Sequence, residues 1–240
     1  MSAQILELRK ILERRFPDAL PVTHRTAPAV ATGVAPLDRI LPAGGLPRGR
    51  VAVWVSGGGA TAVLQAACGA VVARGERAAW VDGARVVTGW GWLSAAGEEG
   101  RPRPVLVRPE GVREALVCAE ELLRSGGFAL VVLAGVEVTD AELVRLSRAA
   151  REGGGAFVVR LGGGRAGVAG LRLVSRIVPE GCRWRPDPFG EVAEVEAVRV
   201  RVRAVAMGWD ARTEFSLPVV HHDVRLSLEP GLVDRRGVRG

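Results

Sequence analysis

Apolar positions along this chain recur with two different periods. Residues 3–16, "AQILELRKILERRF", carry a stripe of Ile5, Leu8 and Leu12 with Ile11 beside it, flanked by Glu7, Arg9, Glu13 and Arg14. That spacing predicts an amphipathic helix. "FPDALP" ends it, and the stretch to about Thr32 holds prolines and no period. A helix on a tether is expected, its stripe in need of a partner from its own domain or from another chain. From Val51 the pattern changes. "VAVWV" (51–55) is a continuous apolar run, as a strand covered on both faces requires. A helix is expected from about Ala60 to Arg74, then strands at 77–82 and 104–109. Val112, Ala115, Leu116, Ala119, Leu122 and Leu123 return to helical spacing, and strands follow at 128–133 and 155–161. Between these two strands "TDAE" (139–142) reads as a capping box, with Thr139 capping a helix and Glu142 bonding back.

After Leu161 the alternation of strand and helix stops. "GGGRAGVAG" reads as a loop. "LRLVSRIV" (171–178), "VEAVRVRVRAVAM" (195–207) and "TEFSLPV" (213–219) read as strands with no helices between them. The expected fold class is α/β. Its core is a mostly parallel sheet with helices on both faces, an antiparallel C-terminal extension and a separate N-terminal helix. The domain plan is an N-terminal helix and tether over 1–31, a core over 32–220, and a disordered tail over 221–240.

Composition refines this picture. The 240 residues suffice for one α/β domain with short appendages. No apolar run approaches the ~18 residues of a membrane span, and the charged opening is unlike a secretory leader. Cys68, Cys118 and Cys182 form no paired motif, so a reducing cytoplasm is the expected setting. The net charge is +7, and Lys10 is the one lysine; all other cationic side chains except histidine are arginines. Part of that skew is genomic; the functional reading is attraction to a polyanion.

The stretch "VAVWVSGGGATAVLQAA" (51–67) sets strand, glycine cluster and helix in the order of a phosphate-binding loop. Such a loop has the form GxxxxGKS/T, with backbone amides around the phosphates and the lysine on their oxygens. The candidate loop is Ser56, Gly57, Gly58 and Gly59. The lysine position is then Ala60, the hydroxyl position is Thr61, and the first glycine falls on Trp54 inside the strand. The strand "FALVVL", which should end in a magnesium-holding acid, ends in Ala134. Each charge-assisted phosphate contact is worth about 1.5–3 kcal/mol. The expectation is a degenerate nucleotide site, with no catalytic residues, no cofactor and no metal, whose glycines serve a tight turn and close packing.

The segment before the loop, "TGVAPLDRILPAGGLPRGRV" (32–51), resembles the one that precedes the P-loop in RecA-type recombinases. There a short helix around a Leu-Asp pair leads into Gly-Gly-Leu-Pro-x-Gly. The resemblance continues through "AAWVDGA", "FALVVLAGV", "AGLRLVSRIV" and "VEAVRVRVRAVA" to "TEFSLPV". It spans about residues 32–219 and omits the recombinase's C-terminal domain. It implies that the strand ending in Asp82 should carry the water-activating glutamate at 84, where this chain has Ala84; a general base is worth about 10²–10⁴ in rate. It also implies that a signalling glutamine has become Arg160. Lysines that reach a neighbour's ATP are lost near Val205 and Ala206, and the DNA-binding loop is shortened to 162–169. Within that superfamily the chain looks most like the ImuA family. The resemblance implies a non-catalytic, cytoplasmic accessory subunit of SOS-induced translesion synthesis, joining RecA to an ImuB/DnaE-type polymerase complex. The alternatives are an ATP-independent, DNA-binding recombinase paralogue and a SulA-like inhibitor of cell division.

The remaining candidates are interaction residues. Arg199, Arg201 and Arg203 share one face of a period-two run, with Val198, Val200 and Val202 on the other. They read as contacts to DNA or to an acidic partner, or as the solvent face of an outer strand. Arg165 and Arg172 fall at the shortened DNA-binding loop and offer weak DNA binding. Ile5, Leu8 and Leu12 are the candidate protein interface, for RecA, the ImuB-like subunit or self-association. Trp90, Trp92 and Trp184 are expected to pack over a core edge, and Cys68 and Cys118 to be small buried side chains. "HHD" (221–223) has ligand chemistry but no third cluster.

Overall fold

The computed structural model describes residues 29–87, 103–162, 169–186, 189–190 and 192–219. The expected N-terminal helix with Ile5, Leu8 and Leu12, the residues Trp90, Trp92 and Arg165, and the tail with its "HHD" lie outside the described residues.

The chain forms β1 (Ala29–Val30), α1 (Ala35–Asp38), β2 (Leu46–Pro47), β3 (Val51–Gly57), α2 (Ala60–Ala73), β4 (Ala78–Asp82), β5 (Val105–Val107), α3 (Val112–Arg124), β6 (Leu130–Ala134), α4 (Asp140–Gly153), β7 (Ala156–Leu161), β8 (Leu171–Ile177), β9 (Arg183–Pro186), β10 (Val192–Ala206) and β11 (Trp209–Pro218). β1 and β2 pair as a small antiparallel ribbon, which joins Ala29 and Val30 to the core, just ahead of the expected boundary at 31. The main sheet has the order β11-β10-β8-β3-β7-β6-β4-β5, with β9 laid along β10. The six strands from β8 to β5 are parallel to one another, and β9, β10 and β11 pair antiparallel. This is the mixed α/β architecture that the change of pattern at Leu161 predicts.

Period-two alternation divides the core. Ala52, Trp54, Trp80, Val132 and Val158 face α1 and α2, while Val53, Val81, Val131, Leu133 and Val159 face α3 and α4. Helices thus cover both faces of the parallel strands, and β3, β4, β6 and β7 are apolar on both sides for that reason. The Thr139 capping box forms: the hydroxyl accepts from Glu142 N–H, and the Glu142 carboxylate accepts from Thr139 N–H at 2.8 Å. The bonds that carboxylate accepts from the Thr139 amide and hydroxyl hold the Glu142 carboxyl below the usual carboxylate range. On α3 the expected stripe is buried at Ala115, Leu116, Ala119 and Leu123, but Val112 at the first turn is exposed. Glu120 joins the buried face because Arg124 and Arg145 reach its two oxygens at 2.9 and 3.0 Å, tying α3 to α4. No helix among the described residues is long and apolar enough to cross a membrane.

Several expectations need correcting. Strand 104–109 contracts to three residues, because its flanking prolines cannot donate to a ladder. β11 starts four residues before Thr213, since Met207 and Gly208 close a two-residue hairpin that pairs Ala206 with Trp209. Trp184 is not packed over a core edge: it sits on β9 with 52% of its surface exposed. Cys118 is only half-buried, unlike Cys68. β10 is not an outer strand, since β8 and β11 pair with it on either side.

Candidate functional site

The pre-loop segment folds onto the face of the sheet that carries α2. Leu37 and Leu46 are fully buried there, and Asp38 Oδ1 accepts from both the Thr32 amide and its hydroxyl at 2.8 Å. The Leu-Asp pair therefore has two jobs: Leu37 enters the core and Asp38 closes the chain back on Thr32. Trp209 Nε1 donates to the Ile40 carbonyl at 2.9 Å, pinning α1 to the hairpin of β10 and β11.

The candidate loop continues β3 through Ser56 and Gly57 and turns at Gly58 and Gly59, which take φ of 121° and 78°. Both values lie where a side chain is strained. Space is short as well. A Cβ on Gly58 would stand 2.8 Å from Ile177 Cγ1, and one on Gly59 would stand 2.7 Å from Val200 Cγ2. The polar groups of Gly58 are also engaged. Ser175 Oγ donates to the Gly58 carbonyl at 2.8 Å and accepts from Trp54 Nε1 at 2.9 Å, and Ser56 Oγ accepts from the Gly58 amide at 3.3 Å. Trp54, at the position of the first P-loop glycine, is thus a buried anchor of this relay. Ala60, at the lysine position, is fully buried, and Thr61 is half-buried beside it.

The other sequence-predicted positions line up across the strand ends. The ladders place Asp82 beside Ala134, Ala134 beside Arg160, and Arg160 beside Trp54. Alternation puts all four on the α2 face. Asp82 is fully buried; its Oδ2 accepts from the Val87 amide at 2.8 Å. Asp82 Oδ1 and Arg160 Nε are buried and find no hydrogen-bond partner among the described residues. Ala84, exposed just beyond β4, crosses Gly135 too closely to leave room for a Cβ on that glycine. At the lysine position the turn presents only the buried Ala60, and the row beside it holds a buried carboxylate, Asp82, and the Arg160 guanidinium.

No protein-family model matches this chain, and no curated protein matches it at a significant level. Its function has to be argued from the geometry.

The structure separates the candidate arginines from the glycine turn. Arg172 lies within β8, not in the loop before it, and its Nε is buried without a partner among the described residues. Arg199, Arg201 and Arg203 lie on the face of β10 opposite the buried Val200 and Val202. Two of them are paired within the hairpin: Arg201 with Glu214, and Arg203 Nε with Asp210 Oδ1 at 2.9 Å. Sequence reasoning missed Ser175, Val200 and Ile177 as parts of the turn. Ser175 carried a signal, being the one polar residue on the buried parity of "LRLVSRI".

Proposed function

We propose that this chain is a non-catalytic, RecA-like accessory subunit of SOS-induced translesion DNA synthesis, an adaptor between RecA and an ImuB/DnaE-type polymerase complex. The observation that carries the reading is the closure of the glycine turn by the protein's own atoms. Val200 and Ile177 fill the space over Gly58 and Gly59, and Ser56 and Ser175 take the polar groups of Gly58. Trp54 and Ala60 are buried where a nucleotide loop needs a glycine and a lysine. A fold whose cradle is spent on internal packing keeps its surfaces, and function lives in sites rather than folds. The RecA likeness is supported by the pre-loop segment, whose Leu37 and Asp38 sit on a short helix leading into the Leu46 ribbon. Residues 1–20, with Ile5, Leu8 and Leu12, are the proposed docking element.

Biolayer interferometry of the full chain and of a 1–20 deletion against RecA and the polymerase-like subunit tests this. Binding of the full chain to both, weakened for at least one by the deletion, is expected. Failure of the full chain to bind either protein overturns the adaptor reading, and calorimetric binding of Mg-ATP at micromolar affinity overturns the non-catalytic one.

A further inference from the structure

The sheet is covered unequally. On its α2 face the helices and the pre-loop segment extend across β8, β10 and β11, burying Leu173, Val200, Val202, Phe215 and Leu217. On the opposite face α3 and α4 lie over β3, β4, β6 and β7, and the outward residues of β8, of β10 from Arg199 to Val205 and of β11 are exposed or half-buried. Register assembles those residues into rows: Arg176–Arg201–Glu214, Val174–Arg203–Arg212 and Arg172–Val205–Asp210, with Arg199 and Ser216 at the end. Six arginines therefore share one face with two acids. The acids pair with Arg201 and Arg203. Arg172, Arg176 and Arg199 have no ion pair among the described residues, and Arg212 forms no salt bridge there but lies close enough to help hold the Asp210 carboxyl below its usual range. Val174, Arg176, Arg201, Arg203 and Arg212 line a cleft of about 270 Å³ on this face.

A second cationic cleft, of about 450 Å³, lies on the same side of the sheet and includes Arg50, Ser147, Arg148 and Arg151. Burial, and then the charge of Arg151, lower the Arg50 pKa, while Arg148 pairs with Glu152 at 3.0 Å. Arg172, in register with Val53 of β3, stands between the two.

We infer that this face of β8, β10 and β11, which no described helix covers, binds the phosphate backbone of a single-stranded nucleic acid. The proposal goes beyond the adaptor reading and does not depend on it. Successive outward residues of a strand are about 6.6–6.8 Å apart and neighbouring strands about 4.8 Å apart, so the six arginines stand on a regular lattice of backbone positions, interrupted by Val174, Val205 and the two acids. A repeating polyanion matches a lattice; an acidic peptide, with carboxylates at irregular intervals, matches it less well. None of the residues these three strands place on the face is aromatic, so bases have nothing to stack on there and the contact reads backbone, not sequence.

Anisotropy of a fluorescein-labelled 20-nucleotide oligo-dT with the full chain tests the proposal. Arg172, Arg176, Arg199 and Arg212, the four outside salt bridges, on four phosphates give a log–log salt slope of about −2.8, an affinity loss of about 50-fold between 50 and 200 mM salt. Arg176→Glu with Arg212→Glu, both exposed, should remove two contacts, reduce the loss to about 7-fold and leave circular dichroism unchanged. Arg39→Glu with Arg113→Glu makes the same change of net charge away from the face and should preserve the slope. The inference is overturned if the two double variants behave alike, or if poly-glutamate displaces the chain from oligo-dT as well as unlabelled oligo-dT does.

Discussion

Gly59→Ala measures how far the glycine turn is a packing device. At φ of 78° an added Cβ carries about 1–2 kcal/mol of backbone strain. The same Cβ would stand 2.7 and 2.9 Å from the two methyls of Val200, which is fully buried and held in register by β8 and β11. A β-branched side chain so confined has no rotamer in which to retreat, and overpacking of this kind costs about 1–3 kcal/mol. Gly59→Ala should therefore destabilise by about 2–5 kcal/mol. Val200→Ala alone loses two methyl groups and leaves a small cavity, about 2–3 kcal/mol. In the double variant the new methyl occupies part of the space that Val200 vacated, so the combined loss should fall short of the sum by about 2 kcal/mol. Urea denaturation followed by tryptophan fluorescence reads this directly. With a slope near 2–3 kcal/mol per molar, about 3 kcal/mol displaces the midpoint by roughly 1–1.5 M. If the turn instead faced open solvent, as a phosphate cradle does, only the backbone term would remain and the two changes would add. Strict additivity, or a Gly59→Ala midpoint within about 0.2 M of the parent, refutes the reasoning.

Three further outcomes are expected. Ala60→Lys should lower the unfolding midpoint, because it places an ammonium where the native side chain is fully buried, and calorimetry should still detect no Mg-ATP binding. Ser175→Ala strands Trp54 Nε1 and the Gly58 carbonyl together, so it should cost about 2–5 kcal/mol by urea denaturation and couple strongly to Trp54→Phe. Burial pushes the Cys68 thiol up to about 12; a thiol reagent at pH 8 should modify it only as fast as the protein unfolds. Because the unfolded thiol ionises near pH 8.5–9 while the folded one stays protonated, its contribution is full below that pH. It falls by about 1.4 kcal/mol per unit as pH rises towards 12, a decline that Cys68→Ala should remove.

Much of the architecture was written locally. The apolar runs at 51–55, 77–82, 128–133 and 155–161, the stripe of α3 and the Thr139 box each report a period or a cap, which neighbouring residues alone enforce. That Ala60 and Ala134 stand where a phosphate-binding loop would carry a lysine and an acid was legible for the same reason, since loop and strand fix those positions; Ala84 was read from the resemblance. β1, β2 and β9 were not legible: two- and four-residue strands have no period to read, and β9 exists because a bulged β10 offers it an edge. The first half of β11 was hidden because Gly208, Trp209 and Asp210 look like a turn until Ala206 pairs with Trp209. What closes the glycine turn was hidden for a deeper reason. Ile177, Ser175 and Val200 come from strands more than a hundred residues downstream, and strand order and register, not local pattern, bring them over Gly58 and Gly59. Likewise alternation showed that Arg199, Arg201 and Arg203 share a face. Only the pairing of β8 and β11 with β10 decided that Arg176 and Arg212 join them, because an alternating strand specifies which side a residue takes but not which strands lie beside it.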